Sequence, residues 1–597
     1  MQNPRELIAV NIKKWLDSQG IAVEFEVSLS QNPDFGDFAS NIALIASKKI
    51  ENSNPKMLAV EIISYLQENP EIKDIFEKIE SAGPGFINFY LSKKWLFQEL
   101  KEVVQKEKAY GTSNKRNAQK IIVEYSSPNI AKPFTIGHLR STIIGNAVAN
   151  LLEAEGARIA RDNHIGDWGT QFGKQIYAIK AWGNEEKIDQ AENPVKELVA
   201  LYVKFHEEAE KDAALDDEAR AWFVKLEKGD SEAKRLWQKC IDWSFKEFDR
   251  LYQLLGVSFT ENNGMGYGES FFEDKMQVVI EELREKKLLK ESEGAELVFF
   301  PEEKYPPLMI LKKDGSTLYA TRDLATDKFR LAQHGNDVII INEVGIEQSL
   351  YFNQLYETEK LLGWVKPGQR IHIKHGHFRF SEGKMSTRKG NVIWLEDVLE
   401  EAKKRAFALS EQKTEFEGNE AVTSSLKVSS SAQKHNPGAA TRINNSETIA
   451  ISAMKWNDLK RSSEQDVTFD WDDVLNMHGN SGPYLQYTYV RTQSVLQKAV
   501  QAVHEIPQGD HYEKEELELL RFVTQYPYVV EISAQDFAPN LLCNYLFELS
   551  QKYNLFYQKC KIIGGENEAY RLMLTKAVGV VLKNGLTILG IETVEKM

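Results

Sequence analysis

The chain has 597 residues, of which 42% are hydrophobic and 27% charged, an ordinary composition for a globular protein and enough for about three to five domains. Its net charge of −14 excludes a uniformly basic nucleic-acid binder, although a local basic face is compatible with that total. The three cysteines form no CxxC pair, and neither a secretory leader nor an apolar run of about 20 residues is visible. We therefore expect a cytoplasmic protein without disulfides, a dedicated metal site or a membrane span.

The first segment, residues 1–110, is predicted to form a separate α/β domain. Apolar residues at helical spacing near its start are followed by a Gly-Pro-Gly turn and a short strand at 86–90. The polar and charged stretch beyond this strand marks a linker.

Residues 111–395 alternate between strands and helices. Residues 121–125 and 337–342 are short β-branched runs typical of buried strands, and each precedes a helical pattern. This alternation predicts a Rossmann-like parallel sheet covered by helices on both faces. Charged helical segments over about 184–300 are interpreted as a helical insertion into this domain.

The remainder of the chain is predicted to be mostly helical. Residues 396–460 form a connecting segment that includes a mobile surface excursion at 411–446, which is rich in Ser, Asn and Gly. Residues 461–597 are helical with aromatic residues interleaved, which favours a helical bundle.

The turn after the first buried strand of the sheet, "SSPNIAKPFTIGHLRS", is a candidate anion site. A helix that starts here presents unpaired N–H groups, and Gly137 would let a flat ring or a phosphate approach the backbone. His138 can donate a hydrogen bond to a phosphate oxygen, and Arg140 adds charge in the first turn. Taken alone, such a turn is more often a strand–helix corner with a surface histidine.

The segment "EGKMSTRKGNV" is a second candidate site. It places three cations and two hydroxyls between glycines, which suits a loop that closes over a ligand and neutralises a pyrophosphate leaving group. Taken alone, it is more often a solvated charged loop.

Together the two motifs resemble the HIGH-type and KMSKS-type pair of class I aminoacyl-tRNA synthetases. Further stretches narrow the resemblance to the arginyl-tRNA synthetase family: "VEYSSPNIAKPFTIGHLRSTIIGN", "DNHIGDWGTQFG", "LYATRDLATDKFR" and "SGPYLQYTYVR", with "NPDFGDFASNIAL" and "AGPGFINFYL" near the N-terminus. It covers nearly the whole chain apart from the 411–446 excursion.

The resemblance implies a set of catalytic and ATP-binding residues. The catalytic residues are Thr135, His138, Lys384, Arg388 and Lys389. The ATP-binding residues are Gly137, His138, Lys384, Met385 and Ser386. Catalysis in this family needs no protein nucleophile and relies on positioning and charge stabilisation.

The resemblance also implies a pocket for arginine, whose planar guanidinium calls for carboxylates or amides of matching geometry. Its substrate-binding residues are Glu124, Ser126, Asn129, Tyr319, Asp323 and Gln348. Tyr319 and Asp323 share one face only if they lie on a helix, and on a loop they need not. Asp167, Trp168 and Gln171 are expected to form a second layer around this pocket.

Two positions depart from the family motifs. Thr135 replaces the first histidine of the HIGH pattern, and Thr387 and Arg388 replace the Lys and Ser of the KMSKS pattern. We interpret the retained Gly137, His138 and Arg140 as compensation. Either Arg388 or Lys389 supplies the missing cation.

Anticodon recognition is expected in the C-terminal helices, residues 461–597, where aromatic residues can stack on unpaired bases. The candidates are Tyr484, Gln486, Tyr487, Tyr489 and Arg491. A stripe of Tyr and Leu at helical spacing is also explained as plain core. Phe38 and Asn41 are weaker candidates in the N-terminal domain.

We therefore expect an enzyme that ligates L-arginine to tRNA(Arg) with ATP and Mg²⁺, and that acts as a monomer. The main rival is a catalytically silent tRNA-binding paralogue, which Thr135 supports. A synthetase for another amino acid is a third reading, against which the acidic pocket argues.

Overall fold

The computed structural model describes residues 3–30, 32–50, 53–380, 393–421, 437–499 and 511–596. The chain forms two units. The first contains Met1–Gly111, Thr488–Val529 and Tyr545–Asn584, and the second contains Thr112–Tyr487, Val530–Asn544 and Gly585–Met597.

Helices and strands are numbered along the chain. The helices are α1 (Pro4–Ser18), α2 (Ile42–Ala46), α3 (Pro55–Glu68), α4 (Pro70–Ile75), α5 (Lys93–Lys106), α6 (Ile136–Ala154), α7 (Gln171–Trp182), α8 (Glu185–Gln190), α9 (Pro194–Ala209), α10 (Ala214–Glu227), α11 (Ser231–Leu254), α12 (Met276–Glu285), α13 (Tyr319–His334), α14 (Ser349–Leu362), α15 (Leu395–Ala421), α16 (Pro437–Leu459), α17 (Trp471–Val474), α18 (Gly482–Lys498), α19 (Lys514–Val523), α20 (Tyr526–Gln535), α21 (Pro539–Lys559) and α22 (Glu568–Ile588). The strands are β1 (Val27–Leu29), β2 (Phe38–Ser40), β3 (Phe76–Ala82), β4 (Phe86–Leu91), β5 (Lys120–Glu124), β6 (Arg158–Asp162), β7 (Leu289–Ser292), β8 (Ala295–Val298), β9 (Leu308–Leu311), β10 (Ile339–Gly345), β11 (Arg370–His375), β12 (Phe378–Phe380) and β13 (Val467–Phe469).

The first unit is built on an antiparallel sheet of order β1-β2-β4-β3. Helix α1 begins where the Asn3 side chain accepts a hydrogen bond from the Arg5 N–H at 3.0 Å, and Pro4 occupies its first turn without a lost donor. Arg521 of α19 pairs with the buried Asp37 beside this sheet. The N-terminal domain and part of the C-terminal helices therefore belong to one unit.

The second unit contains the parallel sheet, in the order β11-β10-β5-β6. Its central strand β5 is buried on both faces, as expected where helices cover a parallel sheet. Asn342 lies opposite Glu124, which lies opposite Asp162, so the carboxyl ends of three strands meet at one edge. The predicted α/β fold with a helical C-terminal part is confirmed.

One region differs from the sequence-based expectation. The insertion over 184–300 is helical from α8 to α12, but it continues into an antiparallel sheet, β7-β8-β9, that the helical interpretation missed. Of the 411–446 excursion, the structure describes the part up to Ala421 as the end of α15 and the part from Pro437 as the start of α16. The interval between these helices lies outside the described residues.

Among the described residues, no helix combines the length and the apolar character that crossing a bilayer requires.

Candidate active site

The site lies at the carboxyl edge of the parallel sheet, where polar side chains follow β5, β6 and β10. The turn after β5 is strained, since Ser126, Ser127 and Ala131 have φ of 74°, 45° and 57°. Non-glycine residues persist in this region only when their surroundings hold them there, and such strain clusters at functional sites.

The surroundings of Ser126 hold this turn in place. Its N–H donates to Ser141 Oγ at 3.0 Å, and its own Oγ lies 2.8 Å from Tyr252 Oη and accepts from Thr142 Oγ1 at 2.8 Å. The Ser127 N–H donates to Asn163 Oδ1 at 3.1 Å. The conformation of the turn is thus set by side chains from α6, α11 and the loop after β6.

Asn129 continues the turn by pairing with Gly166 in an isolated parallel bridge. A Cβ on Gly166 would approach Asn129 Oδ1 to 2.5 Å, so a larger residue here would require the Asn129 amide to shift. Gly166 therefore lets the loop after β6 come into close contact with the turn after β5.

Thr135 is the N-cap of α6 and contacts His138. The Thr135 N–H donates to His138 Nδ1 at 3.0 Å, and Thr135 Oγ1 lies 3.0 Å from the same nitrogen. We therefore assign the neutral tautomer with the proton on Nε2. Burial, and secondarily Lys132, lowers the pKa of His138 to about 4, so the ring is an uncharged donor at neutral pH.

Gly137 borders open space at the start of α6. Among the described residues, a Cβ built on it would find only Thr135 Oγ1, at 3.5 Å, which is ordinary contact. None of the described neighbours therefore demands a glycine at this position.

The basic segment with Lys384, Met385, Ser386, Arg388 and Lys389 lies outside the described residues. Both of its flanks are placed at the start of α6. On one side Arg140 Nη1 donates to the His377 carbonyl at 3.3 Å.

On the other side Trp394 forms a bridge with Thr135, and the Leu395 N–H donates to the Phe134 carbonyl at 3.0 Å. The residues before and after this segment thus both contact the first turns of α6 or the residues just before them.

The place of Arg140 differs from the sequence-based expectation that it adds charge to an anion site in the first turn of α6. Its side chain is 1% exposed, and its guanidinium donates to the carbonyls of His377, Ser463 and Gln465. A buried guanidinium that is held by backbone carbonyls does not face a ligand.

Glu124 lies at the end of β5 and is already paired inside the protein. Its Oε2 lies 2.5 Å from Arg330 Nη2 and accepts from Asn342 Nδ2 at 3.0 Å. Arg330 also pairs with Asp162 and Asp327. Burial opposes ionisation, but Arg330 and then His164 bring the pKa of Glu124 below its usual range.

Asp323 and Tyr319 both lie on α13, which decides the alternative that the sequence left open: they are one turn apart on a helix. Asp323 accepts a hydrogen bond from the Tyr351 hydroxyl of α14, and 27% of its side chain is exposed. Burial raises the pKa of Asp323, and the nearby charge of Glu124 adds to the shift. The two carboxylates therefore share one neighbourhood.

Tyr319 and Gln348 are exposed and lie near Tyr351, the residue that donates to Asp323. The Tyr319 ring is 58% exposed and packs edge-on against Tyr351, with ring centroids 4.8 Å apart. Gln348 is exposed immediately before α14, one turn from Tyr351.

Several residues of the pocket were not predicted as site residues. His164 Nε2 lies 3.9 Å from Asp323 Oδ1, and its charged form would act on Asp167 and Glu269 as well. Its place in the quoted "DNHIGDWG" stretch was the available signal. Tyr351 carried no signal, because only the packing of α14 against α13 brings it to Asp323.

The expected second layer is organised around Asp167. Its carboxylate accepts from the Ser270 N–H at 2.8 Å and from Ser270 Oγ at 2.6 Å, and its carbonyl accepts from Trp237 Nε1 at 2.8 Å. Trp168 packs against Trp237, and Gln171 bonds back to the Trp168 carbonyl. These contacts hold the loop and leave no separate role for Trp168 or Gln171.

The predicted RNA-contacting residues separate into two groups. Gln486 is wrong as an RNA ligand: it is fully buried, donates to Ser452 Oγ and the Glu592 carbonyl, and accepts from the Val594 N–H. Tyr489 is also core, at 6% exposure. Tyr484, Tyr487 and Arg491 are partly exposed.

In the N-terminal domain, Phe38 is a core residue at 7% exposure and is also wrong as an RNA contact. The Asn41 side chain accepts from the Glu26 N–H at 3.3 Å.

In the first unit, Arg491 lies over the ring of Tyr557, 4.8 Å from its centroid, and donates to Asn554 Oδ1. A cavity of about 310 Å³ opens beside them and is also lined by Lys498 and Lys561.

Three family models match this chain. The model described as tRNA synthetases class I (R), catalytic domain, matches residues 99–471. The DALR anticodon binding domain matches residues 485–597, and the arginyl tRNA synthetase N terminal domain matches residues 2–91.

Curated relatives and solved structures agree with these matches. The arginine–tRNA ligase of Clostridium perfringens is 38% identical over 99% of this chain and 100% of the relative. That of Fusobacterium nucleatum is 38% identical over 96% of this chain and 95% of the relative.

The crystal structure of arginyl-tRNA synthetase from Plasmodium falciparum is similar with a TM-score of 0.80 at 26% identity, covering 99% of this chain and 98% of that one. The Thermus thermophilus arginyl-tRNA synthetase has the same TM-score at 20% identity, covering 99% of each chain, which supports the shared fold.

Proposed function

This chain belongs to the arginyl-tRNA synthetase family, and from that premise we propose that the carboxyl edge of its parallel sheet activates arginine for transfer to tRNA. The enzyme is an arginine–tRNA ligase that consumes ATP and releases AMP and pyrophosphate. The site assignment is supported by the contact between the turn after Glu124 and α6, where the Ser126 N–H donates to Ser141 Oγ, and by His138, a neutral donor at the start of that helix.

Arginine binds in this proposal with its guanidinium at Asp323. Glu124 already shares its charge with Arg330, whereas Asp323 meets a tyrosine hydroxyl and an imidazole. A guanidinium brings both positive charge and parallel N–H donors, so it favours ionised Asp323 and lowers its raised pKa. Tyr319 and Gln348 close the rim, while Ser126 and Asn129 lie toward the α-amino and carboxylate groups.

In the first step the arginine carboxylate oxygen attacks the α-phosphorus of ATP, and the bond to the bridging oxygen of pyrophosphate breaks. His138 Nε2–H and the first N–H groups of α6 stabilise charge on the phosphate oxygens. Gly137 leaves room for the nucleotide. Lys384, with Arg388 or Lys389, is proposed to neutralise the departing pyrophosphate, and Met385 and Ser386 to contact ATP.

In the second step a hydroxyl of the terminal ribose of tRNA(Arg) attacks the carbonyl carbon of the arginyl-adenylate and displaces AMP. No protein nucleophile is required, so this chain contributes position and charge. Mg²⁺ is proposed to accompany ATP and neutralise phosphate charge. No group of three or more His, Cys, Asp or Glu residues suited to a metal occurs in the described part of the chain.

RNA contacts are proposed at the cavity beside Arg491. Its guanidinium, Lys498 and Lys561 attract phosphates, and the 43%-exposed Tyr557 ring offers a stacking surface. Tyr484 and Tyr487 remain candidates on the same helix, α18. We propose that the enzyme works as a cytoplasmic monomer.

The rival of a catalytically silent tRNA-binding paralogue has no supporting observation. Thr135, the residue that suggested it, caps α6 and orients His138. A binding protein has no need of the paired acidic pocket.

The test is pyrophosphate exchange with each amino acid, with and without tRNA(Arg). The family resemblance implies exchange with arginine that depends on tRNA. Tight tRNA binding without exchange would support the silent paralogue, and exchange with another amino acid would reassign the pocket.

A further inference from the structure

Arg140 joins three segments that are far apart in the chain. It lies on α6, two residues after His138, and its Nη2 donates to the carbonyls of Ser463 at 2.8 Å and Gln465 at 2.7 Å. Its Nη1 donates to the carbonyl of His377 at 3.3 Å. One guanidinium therefore ties the start of α6 to the residue before β12 and to the turn before β13.

The residues around this guanidinium form a buried ionisable cluster. Asp458, near the end of α16, is 3% exposed, and its Oδ1 lies 3.4 Å from Arg140 Nε. His375, at the end of β11, has its Nδ1 2.8 Å from Oε1 of the buried Glu343 of β10. The cluster thus draws charged groups from four elements.

Asp458 is unusual because neither of its carboxylate oxygens has a hydrogen-bond partner among the described residues. A buried carboxylate without such a partner is costly and calls for an explanation. Among the described residues, the cation that forms an ion pair with Asp458 is Arg140, so this negative charge helps to retain that guanidinium away from water. Arg140 and His138 belong to the same helical turn, so the position of His138 depends on how firmly Arg140 is held.

The backbone segments around the cluster are also packed closely against one another. A Cβ on Gly376 would lie 2.7 Å from the Glu464 carbonyl oxygen, and the Gly376 N–H donates to the Ser463 carbonyl at 2.9 Å. The His377 N–H donates to Asp466 Oδ1 at 2.8 Å. The path between β11 and β12 is therefore fixed against the turn after α16.

We propose that Arg140 is a positioning residue for the ATP site, with Asp458 as its counter-charge, and that it sets the start of α6 relative to the strand β12. This proposal rests on the assignment of the ATP site to the start of α6. It gives Arg140 no contact with ATP, and it accounts for a charged side chain that the sequence would place at the phosphates.

The planar fork of arginine suits this role better than lysine does. Arg140 reaches three carbonyls on two segments, whereas a lysine ammonium is a point charge on a flexible stem. Small displacements of catalytic groups are expensive, with about a 100-fold loss for a misplacement of 1 Å. Replacement of the guanidinium by an ammonium is therefore expected to change the KM for ATP more than it changes the stability of the fold.

The test compares Arg140→Lys with a matched control, Arg161→Lys. Arg161 is also buried and also clamps α6, but at the opposite end, through Asn150 and Glu153 at 2.8 Å each. Pyrophosphate exchange is measured against ATP and against arginine, together with thermal unfolding. For Arg140→Lys we expect the KM for ATP to rise at least about tenfold while the KM for arginine stays within about twofold.

Arg161→Lys is expected to leave both KM values within about twofold of the parent, because the end of α6 that it holds is remote from His138. Equal ATP effects in both variants, or an unchanged KM for ATP in Arg140→Lys, would overturn the proposal. An inactive parent enzyme would instead contradict the proposed function.

A second variant, Asp458→Asn, keeps the test decisive if Arg140→Lys does not fold. Burial raises the pKa of Asp458 to about 6, while Arg140 and His375 lower it and Glu343 raises it; Arg461 also faces it. In the parent the KM for ATP should rise as pH falls through about 6, because Asp458 loses its charge. Asp458→Asn should show the high KM for ATP throughout the range from about one pH unit below to about two pH units above this pKa, because the amide has no charge to lose. The same pH profile in both proteins would count against the proposal.

Discussion

The two halves of the proposed site offer charge in opposite ways. The half proposed for arginine has two carboxylates: the buried Glu124, paired internally with Arg330, and the partly exposed Asp323, held by Tyr351. The nucleotide half, as far as the described residues go, uses uncharged donors: a neutral His138 and the N–H groups of a helix start. In the proposed assignment, the small arginine cation is met by formal charge and the large nucleotide anion by dipoles, and formal positive charge is proposed to come from the sequence segment around Lys384.

The largest expected effect is at Asp323. Asp323→Asn removes the charge that faces the guanidinium and should raise the KM for arginine, with a cost of about 2–5 kcal/mol. Pyrophosphate exchange against arginine concentration measures it. Asp314→Asn, in an exposed turn, is the control and should behave like the parent. A KM for arginine that stays near the parent's in Asp323→Asn would move the guanidinium to Glu124.

His138→Ala is expected to act on the rate instead of on arginine affinity. Loss of one positioned donor to a developing phosphate charge should lower kcat by about 10²–10³ with the KM for arginine little changed. Steady-state exchange kinetics resolve the two parameters. His206→Ala on α9 is the matched control. If His138→Ala raised the KM for arginine and spared kcat, the division of the site into two halves would be mistaken.

Gly137→Ala tests whether the open space at the start of α6 belongs to the nucleotide. Among the described residues the new Cβ meets only Thr135 Oγ1 at 3.5 Å, so folding should be unharmed, and the helix gains up to about 1 kcal/mol of stability. The KM for ATP should nevertheless rise roughly tenfold, through steric exclusion. Urea unfolding and exchange kinetics on the same preparation separate these effects. A more stable variant with unaltered ATP kinetics would show that the space is unused.

Thr135→Val removes the hydroxyl beside His138 Nδ1 but keeps the backbone N–H donor to that nitrogen. We expect roughly 1 kcal/mol, or about a fivefold loss in kcat/KM for ATP. Thr135→Ser, which retains the hydroxyl, should be close to the parent. A loss as large as that of His138→Ala would mean that Thr135 contacts the nucleotide itself.

The smallest expected effect is on pH dependence. Because the pKa of Asp323 is raised in the empty pocket, Asp323 takes up a proton at a higher pH than an ordinary aspartate does, and arginine binding must then release that proton. The KM for arginine should therefore increase on acidification at a higher pH than an ordinary aspartate would cause. In Asp323→Asn the KM for arginine should not show this increase on acidification. A KM for arginine that stays constant with pH in the parent would contradict the raised pKa.

Much of the architecture could be predicted because its signals are local. Short β-branched runs gave β5 and β10, and the spacing of apolar residues indicated α6. The polar residues that follow these strands indicated the edge where the site lies, since the carboxyl ends of parallel strands meet there. The proposed roles of His138 and Asp323 rested in addition on the family resemblance.

What only the tertiary structure decided was the partner of each polar side chain. The sequence alone determined that Arg140, Glu124 and Gln486 are polar residues at helical or strand positions, and by pattern each suited a ligand. Arg140 instead binds carbonyls more than 200 positions away, Glu124 is paired with Arg330, and Gln486 is sealed against Ser452. Periodicity is encoded by near neighbours, whereas burial and pairing depend on which distant segments meet, and no local pattern carries that information.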